Sequence, residues 1–277
     1  MLYLQVLVNG LVLGGLYACI AVGFSLVWGV LNIINILHGT FVVIGSYAAY
    51  FAYLKLGIHP FLSIPIAAAI LFVLAYLFQS GVINKVVAAP VLTTLTLTFG
   101  LDLFLNNLLI IAFKADYRMV TLKNPLGVLD LAGTTIPVDK LAAMVLALLL
   151  TGLLFWVLDA SRTGRAIVAV RMDREAAALM GVKARKIYAL TFAIGAVMAG
   201  AAGSLISLVY PISPLNSFMF LGKAFIICVL GGLGSVSGAM VGGLALGVLE
   251  SFGALAFGPE HAVTLSFIIL ILFLLFR

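Results

Sequence analysis

A 277-residue chain with 65% hydrophobic and only 9% charged side chains, at a mean hydropathy of +1.31, cannot face water over most of its surface, because a soluble domain carries about a quarter charged residues. Its net charge of +6 is not a nucleic-acid footprint: seven of its fifteen basic residues lie between Asp159 and Ile187, where one basic loop at a membrane surface accounts for them. Cys19 and Cys228 stand apart inside apolar runs, so no disulfide framework is legible and no metal is expected.

A bilayer core needs about 20 apolar residues per helix, and the sequence offers such runs repeatedly. The first, near 4–30, lacks a basic leader and is too long for a cleavable signal, so it is expected to remain as a helix. Asn32, Asn35 and His38 follow at intervals of three; such side chains suit the capping of a broken helix and the shaping of a gate. Runs near 36–56 and 60–80 come next. The run at 90–113 carries Thr94, Thr98, Asp102 and Asn106 every fourth residue, which places them on one helical face. That stripe is either the wall of a pathway or hydrogen-bonding glue between helices.

A polar stretch from Lys114 to Pro137 leads to the run at 139–158, and a second from Asp159 to Lys186 leads to the run at 187–209. The second has seven basic residues, against four in the first extended to Lys140, so the basic-residue excess places 159–186 in the cytoplasm, with an external N-terminus and a cytoplasmic C-terminus. The short run at 218–231 ends in Gly231-Gly232-Leu233-Gly234-Ser235 and reads as a broken or re-entrant helix; the runs at 236–257 and 262–276 complete the chain. The expected fold is therefore all-α: one transmembrane helical bundle over residues 1–277, with about 8–9 membrane segments. Gly10, Gly14 and Gly15 in the first run and Gly195, Gly200 and Gly203 in the sixth suggest an inverted repeat, although glycine-rich helices show such spacing by chance.

The 159–186 loop is the most informative stretch. Ala166 to Met180 has no Gly or Pro and favours helix. Ile167, Val170, Leu179 and Met180 form its apolar side, and Arg171, Asp173, Arg174 and Glu175 its polar side, as in a helix lying on a membrane or docked in a partner's groove. A solvated basic loop fits the composition equally well.

Glu175-Ala176-Ala177 followed by Gly181 resembles the coupling motif of ABC-importer permeases, without the Leu-Pro of its broader form. Asn35-Ile-Leu-His-Gly39, Gly45-Ser-Tyr-Ala, Gly164-Arg-Ala, Asp173-Arg-Glu-Ala-Ala and the run from Lys223 to Gly243 are similar, in that order, to the branched-chain amino-acid ABC permease family, and within it to the shorter LivH-type subunit.

The resemblance implies a multi-pass protein of a bacterial or archaeal cytoplasmic membrane. It also implies a second related permease, two ATPase subunits that bind ATP and Mg, and a periplasmic or extracellular solute-binding protein. Arg171, Asp173, Arg174, Glu175, Ala176, Ala177 and Gly181 then form the ATPase-coupling segment. Asn32, Asn35, His38, Thr94, Thr98, Asp102, Asn106 and Lys223 become candidates for a path or gate, with Gly232 and Gly238 as a hinge. Lys223 and Glu250 fall near the external side, to meet the binding protein or to snorkel; Lys223 is also a candidate ion-pair partner for Asp102.

Gly222-Lys223 has Ser217 where a phosphate loop needs glycine, so the chain has no nucleotide site, binds no cofactor and is not expected to be an enzyme. The competing function is a self-sufficient secondary carrier or channel, which would ordinarily hold several intramembrane charges for ion coupling. An intramembrane hydrolase lacks both a nucleophile–base spacing and a zinc signature. The solute itself, a branched-chain amino acid, another amino acid, an amide or urea, is not written in these residues.

Overall fold

The computed structural model describes residues 2–123, 125–131 and 134–276. The long apolar runs become helices, even across Pro65 of the third: α1 (Leu2–Leu31), α2 (Leu37–Leu56), α3 (Pro60–Gly81) and α4 (Val91–Phe113). A short antiparallel hairpin follows, β1 (Val128–Leu131) and β2 (Thr134–Pro137), with Val128 opposite Pro137. Then come α5 (Val138–Ala160), α6 (Arg162–Met172), α7 (Arg174–Leu179), α8 (Ala184–Ile206), α9 (Ser217–Gly231), α10 (Val236–Phe257) and α11 (Ala262–Phe276). Among the described residues, nine helical stretches are long and apolar enough to cross a membrane, and the chain is a multi-pass helical bundle. The short α9 is not itself broken; the break follows it at 232–235, where Gly232 has φ +92°, a conformation that costs glycine little.

The helix α1 forms the axis. At 30 residues it runs about 45 Å at 1.5 Å per residue, beyond a hydrocarbon core of roughly 30 Å. Every residue from Gly14 to Val27 is buried, as expected for a helix that is apolar all round. Its closest approach is to α10, where small residues at intervals of four face each other: a Cβ on Gly14 would lie 2.8 Å from Leu244 Cα, and one on Gly243 2.5 Å from Ala18 Cα. The second tight seam joins α2 to α8. There Ser46 Oγ donates to Gly203 O (2.8 Å) and Ser204 Oγ to Gly45 O (3.3 Å), so two buried hydroxyls each find a carbonyl on the facing helix.

The packing partners follow a pattern. The two most extensive interfaces are α1 with α10 and α3 with α8, and α2 also packs on α8 as α9 does on α1. Exchanging the first three spans with the sixth, seventh and eighth reproduces these pairings, as an internal two-fold repeat requires. Five spans precede the second set, so the two sets run in opposite senses.

The segments at 31–37, 81–91, 161–183 and 231–236 lie at one end of the bundle, here the basic end. The opposite end holds 113–123, 125–131, 134–138, 206–217 and 257–262. At that end Arg118 and Ile212 exchange backbone hydrogen bonds of 2.9 and 2.7 Å, tying two long connections together.

Candidate functional site

At the basic end the segment after α5 does not form one helix from Ala166 to Met180. It breaks at Asp173 (φ −154°, ψ 110°), which ends α6 and caps α7: its Oδ1 accepts from Glu175 N (2.8 Å) and Ala176 N (3.0 Å). Asp is a strong N-cap, and that local bond outweighs the propensity of the surrounding alanines. Ser161 caps α6 in the same way through Gly164 N, at 2.8 Å, and Gly181 leaves α7 with φ +82°.

The apolar side is divided as well. Ile167, Val170 and Ala177 are buried against the bundle, whereas Leu179 and Met180 are 90% and 86% exposed, not packed inward. Met172, at the end of α6, is exposed as well. The backbone of α7 is thus clamped to the bundle while its outer side stays open.

Arg171 and Arg174 line a cavity of about 420 Å³ together with Asn32, Thr94, Val170 and Tyr188, so part of the coupling segment and part of the expected gate meet. Asn32 takes φ +53° just after α1, a strained value for a residue other than glycine. Asn35 and His38 turn inward instead. His38 Nε2 is 2.8 Å from Ile20 O on α1, and both side-chain amide atoms of Asn35 are buried without a hydrogen-bond partner among the described residues.

The polar stripe of α4 is that helix's inward face. Thr98 Oγ1 donates to Ile34 O (2.9 Å), Asp102 Oδ1 accepts from Thr40 Oγ1 on α2, and Asn106 Nδ2 donates to Ser217 Oγ (3.1 Å). Thr94 bonds Val91 O within its own turn. These contacts fasten α4 to three other segments. Gly232 and Gly238 flank the break between α9 and α10, where Gly238 N is bonded by Ser235 Oγ (3.1 Å).

Lys223 does not pair with Asp102, and neither Lys223 nor Glu250 reaches the surface. They pair with each other at 2.7 Å, and their side chains are 5% and 7% exposed. Lys223 Nζ also donates to Tyr17 Oη at the midpoint of α1, and Glu250 Oε2 is buried with no hydrogen-bond partner among the described residues. Beside them, in the connection before α9, burial pushes the Tyr210 phenol above its ordinary value; a hydrogen bond from Tyr17 lowers it and the Glu250 carboxylate raises it. Glu250 is expected from the sequence near the external side but not as the partner of Lys223, and Tyr17 and Tyr210 are not expected at all, because a tyrosine within an apolar run has no periodic signature. The available signal was chemical: opposite charges on adjacent membrane helices ordinarily pair.

A multi-pass helical bundle with a buried ion pair between its helices, cavities towards both ends and a capped surface helix on one face is built as a membrane permease. The family model described as branched-chain amino acid transport system / permease component matches residues 6–274, and the chain belongs to that family. It is 36% identical to the high-affinity branched-chain amino acid transport system permease protein BraD of Pseudomonas aeruginosa, over 99% of the chain and 94% of that protein. It is 34% identical to LivH of Escherichia coli K12, covering 99% and 93%. A probable branched-chain amino acid transport permease protein LivH of Methanocaldococcus jannaschii is 27% identical, covering 98% and 90%. No solved structure matches the chain.

Proposed function

We propose that this permease is the membrane subunit of an ATP-driven importer for branched-chain or related amino acids, in a bacterial or archaeal cytoplasmic membrane. A second permease completes the path, two ATPase subunits hold ATP and Mg, and a solute-binding protein delivers cargo at the outer face. The basic end then faces the cytoplasm, in keeping with its arginines and lysines. The observation that carries this reading is the capped α7, with Leu179 exposed at its end, Met180 exposed just after it and Met172 exposed at the end of α6 just before its cap. Large apolar side chains held out at the ends of a rigid short helix that carries Arg174 and Glu175 suit a groove on a soluble neighbour better than they suit water. ATPase closure would push on α7, and the buried contacts of Ala177, Ile167 and Val170 would pass that movement into the bundle.

The test is reconstitution in liposomes. Labelled leucine should enter only when the second permease, the ATPases, the loaded binding protein and ATP are all present. Robust uptake by this chain alone would replace the reading with a self-sufficient carrier.

A further inference from the structure

Resting on the reading that the cargo is a branched-chain amino acid, we infer that the cavity above Lys223 and Glu250 is a receiving site for the free amino acid, in which Lys223 takes the α-carboxylate and Glu250 the α-ammonium group. The cavity has a volume of about 380 Å³, within the roughly 300–1,000 Å³ typical of small-molecule sites. Its rim comes from connecting segments at the end opposite the coupling helices, including Tyr117 and Pro211. Its charged floor lies well inside: Lys223 is six residues into α9, about 9 Å along the axis, and Glu250 is seven residues from the end of α10.

The inventory of hydrogen-bonding groups points to a zwitterion. An ammonium has three donors; Lys223 uses one on Tyr17 and one on Glu250 Oε1, leaving one for a carboxylate. Glu250 Oε2 is buried and has no hydrogen-bond partner among the described residues, leaving one acceptor for an ammonium. A ligand bearing both groups would fill both places beside the intact Lys223–Glu250 pair and add no net charge to the site. A ligand bearing one charge would fill only one place and leave its own charge uncompensated beside the buried pair, which is costly. The apolar wall of Leu13, Met219, Ala254 and Val263 would hold the branched side chain.

The experiment uses the assembled transporter in nanodiscs with Ala254→Cys or, separately, Met219→Cys. The native Cys19 and Cys228 are buried, so a thiosulfonate reagent reads the new thiol. Leucine at roughly ten times its Kd should slow modification about tenfold, as simple occupancy requires. Neither 4-methylpentanoate nor 3-methylbutylamine, which each keep the side chain and one charge, should slow it. Combining Lys223→Met with Glu250→Leu should abolish the protection while the complex still assembles, since paired buried ions tolerate joint apolar replacement.

Absence of protection at both cysteines, in the resting and the ATP-analogue-bound complex alike, would overturn the proposal, as would equal protection by either one-charge analogue. If the double variant fails to assemble, the analogue comparison decides. Leucine uptake by the same preparation separates the two failures. Uptake without protection sinks the site and spares the function; protection without uptake does the reverse.

Discussion

The axial helix α1 and the peripheral helix α4 are both apolar and both long enough to span a membrane, yet 89% of the most apolar window of α1 is buried and only 17% of that of α4. Glycine and alanine at intervals of four bring α1 against the α10 backbone. Hydrogen bonds from one polar stripe hold α4, and its remaining faces are left to lipid or another subunit. Close packing therefore builds the core, while side-chain polarity only positions the rim.

Breaking the core should have the largest effect. Gly14→Leu places a branched side chain where Leu244 Cα already stands, and overpacking against backbone costs about 3 kcal/mol or more; little folded protein should survive, judged by resistance to trypsin in detergent. Gly100→Leu on α4, where an added Cβ meets nothing within 4 Å, should leave folding unchanged. Equal damage by the two would remove the distinction between axis and rim.

The buried pair extends the comparison to charge. Glu250→Leu alone leaves Lys223 uncompensated and should cost about 3–5 kcal/mol, whereas adding Lys223→Met should recover most of it. Thermal unfolding in detergent checks the order: a double variant less stable than Glu250→Leu would contradict it. Asp102 lies in the looser seam beside α4, so Asp102→Asn, which keeps an acceptor for Thr40, should cost under about 1.5 kcal/mol. A change confined to the surface helix is expected from Asp173→Ala. Losing the cap should loosen α7 by about 1 kcal/mol, leaving the bundle's melting unchanged but lowering coupled uptake in the reconstituted system; a lower melting temperature would show that the cap supports the core.

Much of the fold was legible because a membrane span needs only length and apolarity. The run read at 4–30 is Leu2–Leu31, and that at 90–113 is Val91–Phe113. The split at Asp173 was missed because helix propensity across Ala166–Met180 hides a cap that acts through one side chain. Pairings between distant helices are not written in any periodicity, so Lys223 was given Asp102 as a candidate partner when Glu250, 27 residues on, was the actual one. The α4 stripe is legible from its spacing, but the partners it meets, Thr40 on α2 and Ser217 at the start of α9, come from distant parts of the chain and are not.

The central claim, that energy enters through the outer side of α7, is tested most directly by a photoreactive amino acid at Met180 in intact cells. The account predicts a crosslink to an ATP-hydrolysing subunit that is lost when the probe is moved to Leu92, an exposed residue on α4. A probe at Met180 that captures only lipid, or reacts with reagents confined outside the cell, would contradict it.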